Sequence, residues 1–210
     1  MDSLSTAAVT RSERRRQETA DRIAEAAAHL FGERGFAATT VSEICERADV
    51  ARQTFFNHFA TKQDLVEDLA RRGHDFFLEA LETARREGQS TGERLARFFA
   101  VIHESTSAMG PMHKDLLSEV VRAVHGTSDP ARMGSLRRAL EKLLREGRAH
   151  GDVSRRHALE DQTTLVFGAQ QYLVFEWMHR ADFPIAERSA RLARVLAEVL
   201  APGPEESRKR

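Results

Sequence analysis

Apolar residues recur every three or four positions along nearly the whole chain, and no segment alternates apolar with polar over a strand's length. Each segment therefore carries one apolar stripe at helical spacing, and stripes of that kind are buried by packing helix on helix. Ile23, Ala26, Ala27, Leu30 and Phe31 form such a stripe on a helix expected from about Ser12 to Arg34, with Gly35 as its C-terminal cap. Thr40 and Glu43 have capping-box spacing and open a short helix whose face is Val41, Ile44, Cys45 and Ala48. Asp49 then stands at a tight turn, where Asp tolerates left-handed backbone better than most residues. A third helix is expected from Arg52 to about Phe59. Thr61 and Asp64 repeat the capping box and start a long fourth helix toward Arg86. Ser90 and Glu93 cap a fifth through Leu95, Phe98, Phe99 and Ile102, broken by Gly110-Pro111. Further helices are expected over Met112–Val124, Pro130–His150, Arg156–Arg180 and Pro184–Leu200. The fold class this implies is all-α, with about nine helices.

At 210 residues, 41% hydrophobic and 30% charged, the chain has the balance of a folded globular protein. It holds no run of about 20 apolar residues of the kind that spans a bilayer. The first ten residues have no apolar signal core, so a cytoplasmic protein with no membrane partner is expected. The single cysteine, Cys45, has no internal disulfide partner; it suits core packing, with redox sensing as the alternative. None of the nine histidines has metal-ligand spacing, and no phosphate-binding, dinucleotide or nucleophile-elbow motif is present. No metal, no cofactor and no catalytic residues are therefore expected, and the chain does not read as an enzyme. Zero formal net charge argues against a protein that coats nucleic acid by charge alone. Two local basic features remain: an arm with Arg11, Arg14, Arg15 and Arg16, and an acid-free run from Val50 to Gln63 that carries Arg52 and Lys62.

Two short helices joined by a turn, leaning on a longer first helix, describe a helix-turn-helix. On a wheel of the second short helix, Ala51, Phe55 and Phe59 share the side that anchors it to the domain. Arg52, Gln53, Phe56 and Asn57 fall on the other side, with Thr54 at the flank. Arg pairs with guanine edges, and Gln and Asn with adenine; Thr54, His58 and Lys62 suit phosphates. A solvated amphipathic helix would present a similar face.

The residues Gly35-Phe36, Thr39-Thr40-Val41, Ile44, Ala48, Val50-Ala51, Thr54-Phe55-Phe56-Asn57-His58-Phe59, Lys62 and Leu65 closely resemble the signature of the TetR family of transcriptional regulators. That signature runs G-(F/Y)-x-x-T-T-V-x-x-I-A, then A-G-V-S-x-G-T-(F/L/I)-Y-x-(H/Y)-F and x-x-K-x-x-L. The resemblance implies a three-helix DNA-binding domain over 12–61 after a flexible arm 1–11, then a ligand-binding and dimerisation domain over 62–200; the tail 201–210 reads as disordered. Carried over by position, Arg52, Gln53 and Asn57 face base edges. Thr39 or Thr40, Thr54, His58 and Lys62 meet phosphates. Cys45, Asp49, Gln53 and Phe56 depart from the pattern. Phe56 lacks the hydroxyl of the usual tyrosine and suits apolar contact with thymine methyls instead.

Beyond about Arg71 the resemblance weakens. Val166, Gln170, Leu173 and Trp177, and then Ile185, Ser189, Leu192, Leu196 and Val199, recur at alternating spacings of four and three, as helix-packing seams do. Val166, Leu173, Trp177, Leu192, Leu196 and Val199 are the expected dimer contacts; closure of the chain's own core is the alternative. Leu165, Ala169, Tyr172 and Phe175 give the first of these helices a further apolar face. The resemblance implies a homodimer and a small-molecule effector, lipophilic or aromatic in class. Candidate lining residues are Phe76, Phe77, Phe98, Phe99, Met109, Met112 and Phe167, with His103, Glu119, Gln170 and Gln171 as polar groups, and each also suits ordinary core or surface. The function implied is that of a repressor which binds a palindromic double-stranded operator and is released by its ligand. The alternatives are an activator or ligand-independent regulator of the same fold and, more remotely, a carrier or enzyme that borrowed it.

Overall fold

A computed structural model describes residues 10–108, 130–180 and 182–207. The described residues form α1 (Arg11–Arg34), α2 (Val41–Ala48), α3 (Arg52–His58), α4 (Lys62–Glu87), α5 (Thr91–Ala108), α6 (Pro130–His150), α7 (Leu159–His179) and α8 (Ile185–Leu200), with a last helical turn at Pro204–Ser207. No strand occurs among them. The helix expected over Met112–Val124 lies outside the described residues.

The ends follow from local chemistry. Thr10, Thr40 and Thr61 each accept from the backbone N–H three residues on, while Glu13, Glu43 and Asp64 reach back to the capping residue's own N–H. Gly35 closes α1 with φ 81° and donates to the Phe31 carbonyl. Asp49 closes α2 at φ 52° and ψ 55°, left-handed for a non-glycine residue, with its N–H on the carbonyls of Cys45 and Glu46. The first box corrects one reading. Arg11, Arg14, Arg15 and Arg16 are not an arm before the first helix but its first turns, because Thr10 and Glu13 start the helix there.

Two apolar clusters organise the chain. The first joins Ile23, Ala27, Leu30 and Phe31 of α1, Ile44, Cys45 and Ala48 of α2, and Phe55 and Phe59 to Leu65 and Val66 of α4. The second joins Leu81 and Ala84 of α4 to α5–α8, with Phe98, Phe99, Leu140, Leu143, Val166 and Leu196 among its members. The start of α4 thus packs with the first domain, so the expected boundary at 61/62 cuts through shared packing. Within the second cluster α5 lies chiefly along α8, and Gly92 permits close approach: a Cβ there would sit 3.1 Å from the Ala197 Cβ. One ion-pair chain crosses from α1 to α4, with Arg72 bonded to Asp21 and Asp68 at 2.5 Å. A second, Glu82–Arg85–Glu146, ties the end of α4 to α6.

The tail is another correction. Glu206 accepts from the Ser154 hydroxyl at 2.7 Å and the Arg155 N–H at 2.9 Å, which pins the last turn to the loop before α7. No local periodicity announces such a contact.

Candidate nucleic-acid interface

α2 and α3, joined through the left-handed Asp49, form a helix-turn-helix braced on α1 by Phe31, Ile44, Phe55 and Phe59. Phe55 is fully buried and Phe59 nearly so, and together they fix which side of α3 faces inward. Ala51, expected beside them, is exposed as the residue that precedes the helix. The opposite side leaves Arg52, Gln53, Phe56 and Asn57 exposed, with Thr54 and His58 half-buried at its flanks. That arrangement follows from the seven-residue length of α3, about two turns, which allows one anchored and one outward side.

The outward side chains are partly ordered by one another. The Arg52 Nη1 donates to the Ser42 hydroxyl at 3.2 Å, a neutral partner on the neighbouring helix. The Gln53 amide donates to the Asn57 Oδ1 at 3.1 Å, one turn on. Two further cations of this region face acids: Arg34 pairs with Glu43 at 2.7 Å and Arg47 with Glu33 at 3.3 Å. Thr40 is exposed at the start of α2, and its hydroxyl serves the cap with Glu43.

Two of the expected phosphate contacts, Thr39 and Lys62, are engaged within the domain. Thr39 is buried, and its hydroxyl donates to the carbonyls of Gly35 and Leu30, where it locks the turn after α1. Lys62 points inward: its ammonium donates to the carbonyls of Phe36 at 2.6 Å and Thr39 at 2.8 Å and lies 4.2 Å from the centroid of the Phe36 ring. Two carbonyls and the ring thus hold the ammonium, and the partial burial lowers its pKa from 10.5. His58 stands half-buried at the flank of α3, and its pKa is lowered from 6.5, first by burial and then by the charge of Arg16. That coupling also places Arg16 of α1 near the flank of α3, a neighbour that sequence reasoning missed; the Thr10–Glu13 box was the available signal.

The dimer seam is also corrected. Val166, Leu173, Trp177 and Leu196 are buried within the chain's own core, and Leu192 is half-buried against it. Only Val199 of the expected set is exposed. The outward large apolar residues of α7 and α8 are instead Leu165, Tyr172, Phe175, Val195 and Val199. Tyr172 and Val195, with Ala169, Leu173 and Leu192, line an open groove of about 280 Å³, to which Glu176, Arg188 and Arg191 add charge.

Among the expected ligand contacts, Phe98 and Phe99 are fully buried, while Phe77 and Phe167 lie half-buried against the same cluster. His103 and Gln171 are half-buried. Phe76 is 46% exposed, its ring edge-on to that of Phe77. Gln170 is 3% exposed, and its Oε1, like the buried Ser189 Oγ, has no hydrogen-bond partner among the described residues. Met109, Met112 and Glu119 lie outside the described residues. His74 Nε2 stands 2.6 Å from Ser135 Oγ, a contact that joins α4 to α6; neither residue lines the groove, and acyl chemistry needs oxyanion donors as well as such a pair. Cys45 is buried and its thiol pKa is raised by that burial, the opposite of a reactive thiolate. No cluster of metal-ligating side chains occurs among the described residues, and no described helix is long and apolar enough to cross a membrane.

Comparison with known proteins agrees with this geometry. Residues 23–69 match the family model "Bacterial regulatory proteins, tetR family". The HTH-type transcriptional repressor KstR2 of Mycolicibacterium smegmatis is 32% identical over 88 residues, 40% of this chain and 43% of that protein. The matched stretches span less than half the length of such curated relatives, 27% for an uncharacterised HTH-type regulator, YvkB, of Bacillus subtilis. Across nearly the whole chain the likeness is one of fold. A TetR-family regulator from Pectobacterium atrosepticum superposes with a TM-score of 0.69 at 21% identity, over 91% of this chain and 95% of that one. The regulator FadR of Bacillus subtilis, solved in complex with stearoyl-CoA, gives 0.61 at 20% identity, over 84% and 97%.

Proposed function

We propose that the chain, whose residues 23–69 match the TetR family model, is a cytoplasmic homodimeric repressor of that family that binds a palindromic operator and is released by a small molecule. The observation that carries the reading is the outward side of α3. Arg52, Gln53 and Asn57 project there from a helix anchored by Phe55 and Phe59, in the position a major-groove recognition helix requires. The exposed apolar residues of α7 and α8 support dimerisation, since five large apolar side chains on two adjacent helices make a patch of the kind that a second copy covers about a two-fold axis. Two such protomers place their α3 helices about 34 Å apart, one turn of DNA.

Effector binding is supported by the second core. Gln170 offers a buried acceptor without a partner among the described residues, an arrangement that costs stability unless a further group, a ligand or water supplies a donor. The effector is accordingly an apolar molecule with a hydrogen-bond donor. α4 carries the coupling, because its first turns share the apolar cluster of α1–α3 and its last pack with α5 and α6, while Arg72 ties its middle to Asp21 of α1. The ligand acts by binding more tightly to the conformer in which the two α3 helices are wrongly spaced.

The test is an anisotropy titration of the purified protein against DNA upstream of its own coding region, at fixed salt, with and without a metabolite library. Specific binding that one compound abolishes is the expected result. Specific binding that no compound disturbs would overturn ligand release, and an absence of specific binding would overturn the repressor reading at that site.

A further inference from the structure

Phe56 is the outlier of the outward face. It is 43% exposed among Arg52, Gln53 and Asn57, whereas its neighbour Phe55 is fully buried. Its ring is not loose: it stands edge-on to Phe55, centroids 5.4 Å apart at 84°, so a core residue supports it from behind. A supported apolar ring on a polar face suits an apolar group on whatever docks there. Major-groove base edges offer one such group, the 5-methyl of thymine.

The neighbours agree with an A·T target. Positions 53, 56 and 57 share one side of the helix. The Gln53–Asn57 hydrogen bond uses the Gln53 Nε2 and the Asn57 Oδ1, and leaves the Gln53 Oε1 as an acceptor and the Asn57 Nδ2 as a donor. Adenine presents the complement, its N6 amino donor beside the N7 acceptor. We propose that Phe56 is a specificity-determining residue that reads a thymine 5-methyl group beside an adenine read jointly by Gln53 and Asn57. The inference rests on the DNA-binding reading above and narrows it to the base pair recognised.

The experiment selects sites from two random duplex libraries, one with thymine and one with deoxyuridine throughout, using the wild-type protein and Phe56→Ala. Deoxyuridine lacks only the methyl, and one buried methyl corresponds to about fourfold in affinity, or about fifteenfold over two half-sites. The wild type is expected to lose that factor on its selected site when thymine becomes deoxyuridine, and Phe56→Ala to bind the two duplexes alike. Phe56→Leu, which keeps an apolar tip, is expected to retain part of the difference. Equal wild-type affinity for both duplexes, or an undiminished difference in Phe56→Ala, would overturn the assignment while leaving sequence-specific binding standing. Failure of the wild type to enrich any sequence would overturn the DNA-binding reading and this inference with it.

Discussion

Replacing Lys62 with methionine separates a structural lysine from a phosphate-binding one. The methionine keeps the chain's length and its apolar contact with Phe36 but removes two bonds, to Phe36 O at 2.6 Å and Thr39 O at 2.8 Å. Hydrogen bonds made by a charged donor contribute roughly 1.5–3 kcal/mol each. Lys62 is half-buried and its charged form already bears a desolvation cost, and the carbonyls regain some water, so the net loss is set at about 2 kcal/mol. For a chain of this size that lowers Tm by roughly 4–8 °C in a thermal melt. A lysine lost from a phosphate would act differently: the slope of log K against log salt would fall by about 0.9 per contact, twice that for a dimer. The expected outcome is a lower Tm with an unchanged salt slope. An unchanged Tm with a reduced slope would refute the inward assignment of Lys62 and restore it to the DNA contacts.

Asp49→Gly relieves left-handed backbone at φ 52° and is expected to raise stability by about 0.5–1 kcal/mol, read from the urea midpoint; a loss of stability would show that the carboxylate contributes more than the backbone costs. Phe175→Asp places a charge on the outward face of α7 and is expected to give monomers in sedimentation with little change in helicity; an intact dimer would place the interface elsewhere. The Arg85 hydrogen bond holds the Glu82 pKa at about 2, against 4.5 ordinarily. Because the folded value is the lower one, this contribution is complete above pH 4.5 and is lost as the pH falls toward 2; Glu82→Gln is therefore expected to flatten the Tm profile across that window, and an unchanged profile would show that the pair contributes nothing.

Much of the first domain was legible because its signals are local. Thr40 with Glu43 and Thr61 with Asp64 mark helix starts within four residues, and Phe55 and Phe59 fall one turn apart on the buried side of α3. The same type of signal, Thr10 with Glu13, would have placed the basic residues inside α1. Side-chain direction was less legible. Lys62 and Thr39 occur in a basic or polar run, yet each bonds to a carbonyl of a turn formed by tertiary packing. α7 was ambiguous because two of its faces are apolar. Periodicity identified both but could not rank them, and the inward seam proved to be the one that includes the polar Gln170. Glu206 reaches Ser154 across 52 positions, a contact no local pattern encodes.

In the proposed mechanism α3 reads base edges. The most direct test compares wild type and Arg52→Ala on a selected operator and on unrelated DNA, at one fixed salt concentration. Arg52 stands exposed beside Ser42, and a bidentate contact of an arginine with guanine is worth about 1–3 kcal/mol of discrimination. The predicted result is roughly a 5- to 150-fold loss per half-site on the operator with little change on unrelated DNA. Equal losses on both, or none on either, would contradict base reading by this helix.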